Sequence, residues 1–130
     1  MTGYDPYLLT ASVLLIALAL AHSILGEIRI LRKMNGESLP AMRGIPMLWN
    51  IENPAARTIR FVWHITSVLG ISHGALLAYL SGQEKDLFII GIVSCALFAS
   101  GLIALLFTRG SHLGWIAFIA AGALCILSVI

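Results

Sequence analysis

The chain has 130 residues, 59% of them hydrophobic and only 11% charged, with a formal net charge of +2. This composition excludes an ordinary soluble domain and offers no basic surface for nucleic acid, so a lipid bilayer is the expected partner. The length suits one domain, and no stretch outside the apolar runs is large enough to build a second core.

Four apolar runs cover residues 7–28, 60–80, 87–107 and 113–130. Each carries about the 18–20 residues that cross ~30 Å of hydrocarbon at ~1.5 Å per residue, the last being the shortest. The expected fold is all-α, an integral membrane four-helix bundle forming a single domain over 1–130. Ala17-Leu18-Ala19 in the first run looks like a small-residue cleavage site. The residues before the run carry Asp5 and no positive charge, so a retained first helix is expected, not a signal peptide.

Asp5-Pro6 and Asn53-Pro54 each place a capping side chain before a proline, which suits helix starts near both. The first helix is expected to stop near Gly36. The connection over residues 35–52 is the one long loop, with Pro40, Pro46 and the cluster Met47-Leu48-Trp49. It reads as an interfacial loop anchored by Trp49, or as a lid over a nearby site. Asp86 and Ser111 are the expected caps of the third and fourth helices, and Gly110 the expected stop of the third.

Arg29, Arg32, Lys33, Arg43, Arg57 and Arg60 lie between or beside the first two runs, and Arg109 lies between the last two. Lys85 alone is on the other side. The positive-inside rule then puts the two basic connections, the long loop among them, in the cytoplasm and both termini outside. Small residues recur at helical spacing: Gly70 and Gly74, then Gly91, Cys95 and Ala99, then Ala117, Ala121 and Cys125. Such stripes serve helix packing, a homodimer or docking in a larger membrane complex. The two cysteines have no ligand or redox spacing and read as packing groups.

His22 and His64 lie within the first two runs, each about 9 Å inside the basic boundary at ~1.5 Å per residue. Ionisable groups at such depth mark candidate sites. Arg29 falls within ~20° of His22 on the helix wheel, and Arg57 and Arg60 share the face of His64. Glu27 is turned by ~140° from His22, so it is expected to pair with an arginine instead of sharing a ligand with that histidine.

Three functional readings stay open. His22 and His64 are candidate axial ligands of a b-type haem in an electron-transfer protein, with Arg29, Arg57 and Arg60 on its propionates and room for the porphyrin at Gly26. Alternatively His22, His64 and the shallower His112 bind a single transition-metal ion. The third reading is an anionic lipid or other amphiphile held by the arginines. The plainest reading gives the site no chemistry, with His22 hydrogen-bonded across helices to Ser67 or Thr66. His73 has no second membrane histidine near its level, so it is expected to be a packed or hydrogen-bonded residue.

The length and four spans resemble the small multidrug exporters. Those depend on a carboxylate well inside the first helix, and here Glu27 is at its edge. A transport role predicts proton-coupled flux that depends on Glu27. His22-Ser23-x-Leu25-Gly26-Glu27 and Arg60-x-x-Trp63-His64-x-x-Ser67 together resemble the motifs of a group of small bacterial four-span membrane proteins. The resemblance covers mainly the first two spans. It implies a bacterial inner membrane and brings no activity with it.

Overall fold

The computed structural model describes residues 3–34 and 53–130. These residues form α1 (Pro6–Arg29), a short 3-10 turn (Leu31–Lys33), α2 (Pro54–Ser81), α3 (Leu87–Thr108) and α4 (Gly114–Leu127). The fold is all-α. Three helical stretches, Pro6–Lys33, Pro54–Ser81 and Leu87–Thr108, are long and apolar enough to cross a membrane. The fourth helix has 14 residues, which at ~1.5 Å per residue is shorter than a full hydrocarbon crossing. The interfacial loop or lid expected over 35–52, and the stop expected at Gly36, lie outside the described residues.

Helix starts follow the capping signals in two cases. Asp5 Oδ1 accepts from the N–H groups of Tyr7 and Leu8 at 2.9 and 3.0 Å, and Asp86 Oδ1 from those of Phe88 and Ile89 at 3.0 and 3.1 Å. Asn53 enters α2 in the left-handed region, φ 52°, and its carbonyl accepts from Arg57 N–H at 3.1 Å. Ser111 is not the cap of α4. Its hydroxyl donates back to Thr108 O at 2.6 Å, while His112 Nδ1 accepts from Gly114 N–H at 3.1 Å. The helix starts two residues later than a Ser111 cap requires, with Leu113 at the cap position and the preceding imidazole meeting the first helical N–H.

The end of α1 also differs from expectation. The α-helix stops at Arg29 and Ile30 turns the chain into the 3-10 segment, with Leu31 driven to 2% exposure. At the end of α3 the left-handed residue is Arg109 (φ 51°), followed by Gly110 (φ 77°). Gly110 N–H reaches Leu105 O at 2.9 Å and Arg109 N–H reaches Leu106 O at 3.3 Å. The motif thus puts a side chain where glycine is the unstrained choice. Arg109→Gly is expected to stabilise the protein by about 0.5–1 kcal/mol, read as a higher melting temperature in detergent.

The chain divides into two compact units, residues 1–18 with 70–130, and residues 19–69. In the first unit, α1, α2, α3 and α4 all contribute to one core: Leu8, Ala11, Leu15, Leu77, Leu80, Ile90, Val93, Leu97, Ala121 and Cys125. Close approach depends on small residues, because lipid tails supply no hydrophobic drive between helices. A Cβ on Gly74 would lie 2.6 Å from Ile16 Cγ1, and the Ser94 hydroxyl donates to Gly122 O at 3.1 Å across α3 and α4. Ala121 and Cys125 are in this core as their stripe suggests. The α3 stripe is not. Cys95 and Ala99 are exposed and nothing lies within 4 Å of a Cβ on Gly91. The packed face of α3 is instead Ile90, Val93, Ser94, Leu97 and Gly101. Leu87, Phe88, Ile92, Leu102, Ile103, Leu106 and Phe107 are exposed on α3, as lipid contact requires.

One end of this unit is tied by charge. Lys85 Nζ pairs with Asp5 Oδ2 at 3.0 Å and donates to the carbonyl of Ser128. Asp5 N–H donates to Ser81 O at 2.8 Å. Asp5 and Lys85 therefore join the start of α1, the end of α2 and the end of α4. Burial opposes ionisation of Asp5. The N–H groups of Leu8 and Tyr7 and the ammonium of Lys85 outweigh it and hold the carboxyl below its ordinary value. A depressed carboxyl contributes stability that is fully present above its unfolded value and is lost as the pH falls through the folded one. Thermal unfolding in detergent is therefore expected to shift to lower temperature below about pH 4, and Asp5→Asn to remove that dependence.

Candidate functional site

The second unit is a helical hairpin built from the end of α1 and the start of α2, and its contacts run antiparallel. Ser23 meets His64 and the Leu31 carbonyl meets Arg60. Each histidine reaches across to a serine on the opposite helix. His22 Nδ1 lies 3.0 Å from Ser67 Oγ, one of the two partners expected for it. His64 Nδ1 lies 2.7 Å from Ser23 Oγ, and its Nε2 lies 3.4 Å from Glu27 Oε2.

Trp63 holds the hairpin at this level. Its indole stacks flat on His22, with centroids 4.4 Å apart and planes 1° from parallel. Its Nε1–H donates to His22 O at 2.8 Å. The indole fits because residue 26 is glycine, where a Cβ would stand 2.1 Å from Trp63 Nε1. Ser67 is buried and its hydroxyl also donates to Trp63 O at 3.3 Å.

Glu27 is the charge centre of the hairpin. Arg60 Nε lies 3.2 Å from Oε2 and Arg32 Nε 3.6 Å from Oε1. Arg60 also donates through Nη2 to Leu31 O at 3.2 Å, so the 3-10 turn gives the guanidinium a second acceptor. The expected arginine partner of Glu27 is thus present, twice over. Helical spacing explains the choice. Glu27 is four residues after Ser23, one turn along the same face, and His64 bridges the two.

The structure gathers His22, His64, Arg60 and Glu27. It does not gather every residue of the candidate set. Arg29 and Arg57 are exposed, and among the described residues neither makes an ion pair. His112 accepts from Gly114 N–H at the start of α4 in the other unit, and among the described residues no three His, Cys, Asp or Glu side chains form a group able to hold a metal ion. His73, half-buried on α2, also belongs to the other unit.

The residues present do not fit a b-type haem. Two axial histidines must aim a ring nitrogen each at one iron, with the porphyrin between them. Here the His22 ring lies against an indole, both His64 nitrogens face Ser23 and Glu27, and the indole fills the space left open at Gly26. Sequence reasoning missed Ser23 and Trp63 as working parts, although both stand inside the two motifs. Comparison with protein-family models, with curated proteins and with solved structures finds no match.

Proposed function

We propose that the protein is a membrane proton-relay protein of the bacterial inner membrane, working through His64. The observation that carries this reading is the bridge from Glu27 Oε2 through both nitrogens of His64 to Ser23 Oγ, at 3.4 and 2.7 Å. Imidazole is the side chain that exchanges protons near neutral pH, and its two nitrogens let it take a proton on one side and release one on the other. Glu27 delivers a proton to Nε2 and takes its next one from cytoplasmic water, while Nδ1–H passes its proton to Ser23 Oγ as that hydroxyl releases its own to a water molecule on the far side. The ring then flips or reverses its tautomer to reset.

The order along α1 suits the direction of transfer. Glu27 is near the helix end, and Ser23 lies about 6 Å deeper at ~1.5 Å per residue. Arg60 and Arg32 steady the carboxylate, and a charge-assisted contact shortens when the imidazole is protonated. Ionisable groups at membrane depth are costly and tend to lie on proton or ion paths. In this reading the Glu27 end lies in the cytoplasm, which the excess of Lys and Arg around α1 and α2 supports.

The test is proton movement into liposomes carrying the purified protein. An imposed potassium diffusion potential drives the flux, and an internal pH-sensitive dye reads it. Flux above that of protein-free liposomes is the expected result. A rate equal to theirs overturns the proposal.

A further inference from the structure

The hairpin has a face that the proton relay leaves unused. His22, Thr58, Ile59, Val62, Trp63 and Thr66 line a groove of about 320 Å³, a volume at the lower end of small-molecule pockets. Thr58, Val62 and Thr66 stand four residues apart, as do Ile59 and Trp63. At ~100° per residue they share an arc of about 140° on α2, turned away from His64 and Arg57. The groove is therefore a stripe running along the helix from Thr66 outward to Thr58. Ile59 and Val62 are exposed large hydrophobic residues on it.

On α1 the wall of the groove is His22, and Arg29 is within ~20° of His22 on the wheel and two turns nearer the helix end. The hairpin register sets its level. With Ser23 beside His64 and the Leu31 carbonyl beside Arg60, Arg29 is level with Thr58 to Val62, in the outer half of the stripe. Glu27 occupies Arg60 and Arg32. Among the described residues Arg29 makes no ion pair, and it is exposed. An apolar channel on a lipid-facing surface thus leads toward an exposed guanidinium that makes no ion pair among the described residues, with the Thr58 hydroxyl at the outer end of the same stripe.

We propose that this groove binds one acyl chain of a phospholipid with an anionic headgroup, whose phosphate is held by Arg29. The chain lies along Ile59, Val62 and the Trp63 ring. The inference does not rest on proton transfer. Basic positions at the ends of membrane helices attract anionic lipid, and one such contact corresponds to about a fivefold preference.

The test uses Trp63 as the reporter. The chain has three tryptophans, so Trp49→Phe and Trp115→Phe leave Trp63 alone. Lipids with brominated chains quench tryptophan on contact. Brominated phosphatidylglycerol in mixed micelles is expected to quench Trp63 at about fivefold lower mole fraction than brominated phosphatidylcholine. Arg29→Gln is expected to abolish the difference, Arg29→Lys to keep most of it, and Arg109→Asn, which removes a charge in the other unit, to keep all of it. An unchanged Trp63 emission maximum without brominated lipid shows that each variant is folded. Inorganic phosphate alone is expected to leave the quenching unchanged. Equal quenching by the two lipids, a preference that survives Arg29→Gln, or displacement by phosphate alone each overturns the proposal.

Discussion

Gly26→Ala is expected to dismantle the hairpin at the level of the histidines. The new Cβ would lie 2.1 Å from Trp63 Nε1 and 2.4 Å from Cε2, distances no rotamer of a stacked indole relieves while its N–H still donates to His22 O. Overpacking of this kind costs about 1–3 kcal/mol, and losing the Trp63–His22 hydrogen bond adds about 1 kcal/mol. Trp63 is expected to swing out, with its fluorescence altered and the melting temperature in detergent lowered. Gly91→Ala makes the comparison, because nothing stands within 4 Å of its Cβ. Alanine there gains helix propensity of up to about 1 kcal/mol, so that variant is expected to be neutral or more stable. Equal destabilisation by the two substitutions would contradict the packing assigned to Trp63.

Glu27→Gln is expected to have the largest functional effect. The amide keeps the size of the carboxylate but neither delivers a proton to His64 nor balances Arg60 and Arg32. Proton flux in liposomes is expected to fall by about a hundredfold, the lower end of what a positioned proton-transfer group contributes. Ser23→Ala removes the other end of the bridge and is expected to act in the same direction. Ser67→Ala removes the contacts to His22 and to Trp63 O, neither of them part of the bridge, and is expected to leave most of the flux. A Ser67→Ala loss as deep as that of Glu27→Gln would place the relay on the wrong histidine.

Much of the fold is legible before any coordinates. Asp5 and Asp86 before apolar runs cap their helices because a short carboxylate reaches the free N–H groups two and three residues on. The pairing of Glu27 with arginine follows from its angle on the helix wheel. The relation between the histidines is not legible this way. Wheel angle and depth place His22 and His64 at one level, but they do not say which residue each meets across the interface. That depends on the rotation of α2 about its axis, which Gly26 and Trp63 set by letting an indole pack against the α1 backbone. The α3 stripe misleads for a related reason. In lipid a small residue marks a packed face only where a partner helix covers it, and Ile90, Val93, Ser94 and Leu97 carry that face instead. The Asp5–Lys85 tie is invisible in sequence because the two residues are far apart in the chain and meet only when the helix ends do.

The central claim is that His64 itself carries the proton between Glu27 and Ser23, and chemical rescue tests it most directly. His64→Gly leaves an imidazole-sized gap between the two groups. Its flux in liposomes is expected to drop to that of protein-free liposomes and to return in part when free imidazole is added. A His64→Gly variant that conducts protons like the wild type without imidazole would contradict the account.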